Sequence, residues 1–189
     1  MKRRQQSAGA NLGFTMLEVL ISLLIISIGM LGLASLQTLS LKNGQSAYYR
    51  SVATQLAYDM SDRMRGNITG TLGNGYNRTG INTDYATAVA ACGTVAGCPA
   101  ASLAQNDAYE WQQLVAAALP GGEGIVCVDS APNDGTNGID HGCDGSGPGT
   151  GVGTTNERPL HAVKIWWQDD RSSANTTNAK KLFAYSFRL

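Results

Sequence analysis

The feature that most constrains this 189-residue chain is a long apolar run near its N-terminus. Almost every side chain from Phe14 to Leu36 is apolar. At about 1.5 Å per residue, a run of this length is long enough, as a helix, to cross a bilayer. A secretory signal peptide would have a shorter apolar stretch that ends at a small-residue cleavage site. The run therefore predicts a helix that stays with the protein and anchors it in a membrane.

Basic residues stand before the apolar run and set the expected orientation of the chain. Lys2, Arg3 and Arg4 precede the run, and positive charges next to a membrane helix tend to remain in the cytoplasm. The rest of the chain is therefore expected to lie on the other side of the inner membrane, in the periplasm.

All cysteines lie in the second half of the chain, as in a disulfide framework formed in an oxidising compartment. They are Cys92, Cys98, Cys127 and Cys143. Reduced, buried thiols are the alternative, but the surrounding loops are polar and the N-terminus indicates export. Four cysteines allow three pairings. Sequence proximity favours Cys92 with Cys98 and Cys127 with Cys143, because short loops cost little closure entropy.

One carboxylate breaks the apolar pattern. Glu18 lies near the start of the run, and a charged side chain at the centre of a membrane helix costs about 2.5–3.5 kcal/mol on insertion scales. The carboxylate could stabilise the helix N-terminus through the helix macrodipole. Alternatively, a cut between Gly13 and Phe14 would create an amine of opposite charge in the same apolar medium. Neither the amine nor the carboxylate could then stay unpaired without a large cost.

These residues resemble the class III signal of type IV pilins and pseudopilins. The string GFTMLEV at residues 13–19 has a Gly-Phe junction and a glutamate five positions into the new chain, between a basic leader and a long apolar helix. In that family, a prepilin peptidase cuts after the glycine and methylates the new N-terminal phenylalanine. The resemblance implies that Gly13 and Phe14 flank the cut bond, and that Glu18 pairs with the N-terminus of a neighbouring subunit during assembly.

Beyond the apolar run, the pattern becomes that of an amphipathic helix. Apolar side chains recur at three- and four-residue steps, at Tyr49, Val52, Leu56, Met60 and Met64. Gly66 and Asn67 supply a C-terminal stop. We therefore expect one helix from about residue 14 to 66, apolar all round over residues 14–36 and with one apolar stripe over residues 37–66.

Parts of this helix resemble PilV-type minor pilins. The resemblance covers residues 27–34 (SIGMLGLA) and 43–65, and Ser35 stands where major pilins usually have a proline. It implies a low-abundance subunit that helps to start pilus assembly at the inner membrane and is carried at or near the filament tip. Other minor pilins and major pilins would be its partners.

Residues 67–189 are expected to form a periplasmic or extracellular α+β head. The predicted helices cover residues 85–91 and 101–119. The predicted strands, rich in β-branched and aromatic residues, cover residues 124–129, 161–168 and 181–189, the last two as an antiparallel hairpin. The expected fold class is α+β, with the long N-terminal helix packed on a small antiparallel sheet, as in the type IV pilin-like fold that the resemblance implies.

The composition and motifs argue against several other functions. Lys and Arg together number 14, equal to Asp and Glu, so the chain lacks the basic excess that nucleic-acid binding requires. No nucleophile motif is present, so neither enzymatic activity nor a cofactor is expected. The histidines, His141 and His161, do not have the spacing of a zinc site with the cysteines.

A Gly-rich stretch between Gly121 and Gly153 shows no hydrophobic period and is predicted as a loop. It is rich in oxygen donors, namely Asp129, Asn133, Asp134, Asn137, Asp140 and Asp144. These donors would suit a calcium ion, although their spacing does not fit the EF-hand pattern. The simpler interpretation is a solvated loop tied by Cys127 and Cys143.

Two other functions stay open at this level. A type II secretion pseudopilin would have the same signal and helix. A membrane-anchored periplasmic binding module or adhesin would use the N-terminus only as an anchor and would retain residues 1–13. In the pilin interpretation, residues 1–13 are a leader peptide. The precursor then waits in the inner membrane with a periplasmic head, and the subunit becomes extracellular in the assembled pilus.

Overall fold

The computed structural model describes residues 15–77, 87–145, 158–169 and 180–189. The predicted leader and Phe14 lie outside these residues. The chain divides into two compact units, Met1–Gln45 and Ser46–Leu189.

Helix α1 spans Met16–Gly66, so the predicted long N-terminal helix is confirmed. In the first unit, every described residue of this helix is exposed. The helix is long and apolar enough to cross a membrane by length and composition. A helix that is apolar all round needs an apolar environment on every side.

The second unit contains the end of α1 and all the other described elements. These are helix α2 (Ile68–Leu72), a 3₁₀ helix (Ala90–Gly93) and helix α3 (Ala100–Ala118), then strands β1 (Glu123–Val128), β2 (His161–Gln168) and β3 (Lys180–Phe187). The strands form an antiparallel sheet in the order β1-β2-β3. In the central strand, Lys164 lies opposite Ile125 of β1 and Ala184 of β3. The fold is therefore α+β, as predicted.

The apolar stripe on the second half of α1 is buried in the core of this unit. Ala53, Ala57, Met60 and Met64 are at most 1 % exposed. They belong to one cluster with apolar residues of α3 and of one face of the sheet, which include Trp111, Val115, Val126, Val163, Ile165 and Trp167. The 3.6-residue period of α1 and the two-residue period of β2 therefore meet in a single core.

A polar network also joins the helices of the second unit. Arg63 of α1 donates from Nη1 to Asp107 Oδ1 of α3 at 3.4 Å and to Glu110 Oε2 at 3.1 Å. The hydroxyl of Tyr76 donates to the Asp107 carboxylate, and Asn67 Nδ2 donates to that hydroxyl at 3.3 Å. Burial and the Asp107 carboxylate raise the pKa of Tyr76. The network satisfies polar groups that would otherwise be costly to bury.

Two details of the head differ from the sequence-based expectations. The predicted helix over residues 85–91 is wrong where the chain is described: residues 87–89 are not helical, and only a 3₁₀ turn follows. The N–H of Val89 donates to Asn106 Oδ1 of α3 at 3.0 Å, which favours an extended residue there. In addition, α1 ends at Gly66 as predicted, but Asn67 then caps α2 by accepting the Gly70 N–H at 3.1 Å.

Candidate functional site

The N-terminal turn of α1 holds the predicted assembly residue, Glu18. Its N–H donates to the Thr15 hydroxyl at 3.3 Å and to the Thr15 carbonyl at 3.1 Å. Glu18 therefore lies in the first helical turn, where the macrodipole favours a carboxylate by about 0.3–1 kcal/mol. This geometry supports the helix-terminus interpretation, and the charge-pairing interpretation requires a partner charge from another subunit.

The surroundings of Glu18 show why a partner charge matters. Glu18 is the one charged residue between Thr15 and Leu41. Its exposed neighbours along the helix are large aliphatic side chains, and Leu17 and Leu20 are 68 % and 63 % exposed. Once lipid or other apolar helices cover this surface, the carboxylate loses its water and needs a cation nearby. Gly13 and Phe14, the predicted processing residues, lie outside the described residues.

Two disulfides lie in the second unit. Cys92 and Cys98 are bridged with their Cα atoms 4.8 Å apart, and Cys127 and Cys143 with their Cα atoms 6.1 Å apart. This is the pairing that sequence proximity favours, and it leaves no cysteine as a free thiol. The first bridge closes a short loop before α3, and the second ties the loop after β1 back onto that strand.

We expect all four cysteines to be oxidised in the native protein. The unreduced chain, denatured and treated with a thiol-alkylating reagent, should gain no adducts in its intact mass, whereas the same chain after reduction should gain four. Four adducts on the unreduced native protein would contradict both bridges, and two adducts would contradict one of them. A cytosolically expressed sample is the control, because thiols stay reduced there.

The Gly-rich loop after β1, residues 129–145, folds over a lysine. Lys164 and Asp129 have fully buried side chains, and the Lys164 ammonium contacts Asp129 Oδ2. The ammonium also donates to Asp134 Oδ1 at 2.5 Å, to the His141 carbonyl at 2.9 Å and to the Asp134 carbonyl at 3.3 Å. Part of the predicted calcium-donor set therefore surrounds a cation that the protein itself supplies.

Other predicted donors, among them Asn137 and Asp144, accept hydrogen bonds from groups within the loop. Asn137 Oδ1 accepts the N–H groups of Ile139 and Asp140 at 2.8 and 3.0 Å. Asp144 accepts the hydroxyl of Ser130 at 2.5 Å. The loop is therefore tied down by the Cys127–Cys143 disulfide and by its contacts with Lys164. Much of it still faces solvent, since Asp134, Asp140 and Asp144 are exposed. Sequence reasoning missed Lys164, although a lysine within the apolar string AVKIWW was a signal for it.

The remaining metal-ligand types do not form a metal site among the described residues. The sulfurs of Cys127 and Cys143 and a carboxylate oxygen of Asp129 lie within 4.8 Å of one another. The two sulfurs, however, are bonded to each other and cannot act as thiolate ligands. His141 Nδ1 accepts the Cys143 N–H at 3.0 Å. His161 is buried against Phe187, and this burial lowers its pKa.

Comparison with known proteins bears on the N-terminal segment alone. Residues 10–34 match a family model described as the prokaryotic N-terminal methylation motif. No curated protein and no solved structure matches the chain. The motif belongs to a structural, pilin-type family and not to an enzyme family. It implies processing by a prepilin peptidase and assembly with other pilins. Together with the long apolar helix, the match supports a type IV pilin-like protein that is made as a membrane-anchored precursor.

Proposed function

We propose that this chain is a minor pilin of the type IV pilus, which helps to prime pilus assembly at the inner membrane and is incorporated at or near the filament tip. The proposal rests on the part of α1 that lies in the first unit. Its described residues are all exposed, and among those up to Leu41 a single carboxylate, at the N-terminal turn, interrupts an otherwise uncharged helix. Such a helix is suited first to lipid and then to a bundle of similar apolar helices.

In the precursor, lipid covers the apolar surface of α1, and the leader holds the chain in the inner membrane. Cleavage between Gly13 and Phe14 removes the leader and creates a free amine close to Glu18. When the helix moves from lipid into a bundle of similar helices, the carboxylate of one subunit meets the amine of a neighbour. Each charge then has its partner in an apolar medium, which makes the paired state much more favourable than either charge alone.

The minor-pilin role rests on the PilV-type resemblance of residues 27–34 and 43–65. A type II secretion pseudopilin would use the same helix, so the location of the mature protein decides between the two. The disulfides of the head support a periplasmic or extracellular location, because disulfides persist in oxidising compartments.

The decisive experiment is N-terminal sequencing of surface appendages sheared from cells. We expect the chain to be present in low amounts beside a major pilin and to begin at an N-methylated Phe14. A processed chain that is missing from sheared pili but found with the secretion pseudopilus would favour the pseudopilin function. A chain that still begins at Met1 and stays in the membrane would favour the anchored binding module or adhesin.

A further inference from the structure

The loop over residues 129–145 encloses the Lys164 ammonium with four oxygen atoms. Two are carboxylate oxygens, from Asp129 and Asp134, and two are backbone carbonyl oxygens, from Asp134 and His141. The second oxygen of Asp129 accepts the Ala131 N–H at 3.1 Å, which fixes the carboxylate in place. This mixture of carboxylates and carbonyls is the ligand chemistry of hard cations such as calcium.

The backbone of the loop is shaped to close around this point. Gly135 and Gly142 have φ angles of 87° and 69°, in the region that favours glycine. A Cβ on Gly142 would collide with the Asp134 carboxylate, and a Cβ on Gly135 would lie 2.5 Å from the His141 carbonyl. The two glycines therefore let the chain bring its oxygens within reach of one cation.

The charge of the site also requires a cation. Removing the ammonium would leave the Asp129 carboxylate fully buried beside a second carboxylate, which is an uncompensated buried charge. The disulfide between Cys127 and Cys143 fixes the ends of the loop but supplies no positive charge. The ammonium therefore has an electrostatic role that the disulfide cannot replace.

We propose that residues 129–145 form a cation-binding loop whose cation is the ammonium of Lys164, and that this ammonium occupies a site that would otherwise bind calcium. The loop is then ordered without any metal ion, whatever the calcium concentration around the head. The four oxygen atoms around the ammonium, here called the oxygen cage, become a calcium site when the ammonium is removed. This inference concerns the head alone and does not depend on the chain entering a pilus.

The test compares the full-length protein in detergent with Lys164→Met. Methionine keeps most of the packing of the lysine stem but leaves the position of Nζ empty. We expect the wild-type thermal midpoint, followed by tryptophan fluorescence, to be the same in calcium and in chelator. Lys164→Met in chelator should melt about 10 °C lower, as expected for a broken buried ion pair in a domain of this size. Calcium should recover part of that loss.

Two further variants make the result specific to the cage. Lys181→Met removes an exposed lysine of β3 and should change neither the midpoint nor its response to calcium. Lys164→Met combined with Asp129→Asn should no longer respond to calcium, because one of the anionic ligands is gone. A Lys164→Met protein that folds and melts identically in calcium and chelator would overturn the proposal.

A second measurement needs only the wild type and covers the case in which Lys164→Met does not fold. Hydrogen exchange of peptides within residues 129–145 should show the same protection in calcium and in chelator. Faster exchange in chelator would mean that a metal ion, and not Lys164, orders the loop. That result would also overturn the proposal.

Discussion

Replacing Glu18 by alanine is expected to leave the protein in the inner membrane and to abolish its entry into filaments. The apolar helix that inserts into lipid is unchanged by the substitution, so membrane insertion persists or improves. In the proposed filament, however, the substitution would leave the amine of a neighbouring Phe14 without its counter-charge. Breaking a buried ion pair costs about 3–5 kcal/mol, equivalent to a loss of at least roughly a hundredfold in association.

The size of this effect separates the two interpretations of Glu18. Loss of the macrodipole interaction alone would cost about 0.3–1 kcal/mol, which changes incorporation only a few-fold. The protein in the membrane fraction and in sheared pili can be compared by immunoblot. Glu18→Gln, which keeps the size of the side chain without the charge, should fail to the same degree as Glu18→Ala. Leu20→Ala, on the same exposed segment, is the matched control and should incorporate almost normally.

Incorporation of Glu18→Ala at the wild-type level would refute the charge-pairing role. A normal level for Glu18→Gln together with a low level for Glu18→Ala would show that side-chain size matters and that the charge does not. Either result would also remove the main physical argument for assembly through this helix.

The long helix and the sheet could be predicted from the sequence because their signals are local and repeated. The apolar run and the stripe through Met60 and Met64 extend over many turns, and each position supports the same helix. Strand β2 has the predicted bounds, and β3 differs from its predicted bounds by only one residue at its start and two at its end. The disulfide pairing also follows from short separations along the chain, 6 and 16 residues.

The features that could not be predicted depend on contacts between distant residues. Lys164 meets Asp134 across 30 residues of sequence, and Tyr76 meets Asp107 across 31. Neither contact leaves a local pattern, so nothing in the pattern of the loop indicated that its donors would surround a lysine. Helix α2 and the 3₁₀ turn are only 5 and 4 residues long, too short for a helical period to show.

Trp111→Ala is expected to destabilise the head strongly. The indole is fully buried in the main core cluster, and its Nε1 donates to the Leu56 carbonyl of α1 at 2.8 Å. A Cβ on Gly124 would lie 2.5 Å from its ring, so β1 packs directly on the indole. The substitution removes this contact between α1, α3 and β1 and leaves a large cavity, with an expected loss of about 3–5 kcal/mol in the free energy of unfolding.

A typical domain is stable by only about 5–15 kcal/mol, so that loss is a large part of its stability. The loss can be measured by urea unfolding of the full chain in detergent. Leu114→Ala is the matched control on the same helix, because Leu114 is 46 % exposed, and its cost should stay below about 1 kcal/mol.

Trp111→Phe should lie between the two, since it keeps an aromatic ring but loses the hydrogen bond to Leu56. Equal unfolding midpoints for Trp111→Ala and Leu114→Ala would contradict a core centred on this indole. Because Trp111 and Glu18 lie in different compact units, Trp111→Ala should lower the stability of the head and leave insertion of the N-terminal helix into the membrane unchanged.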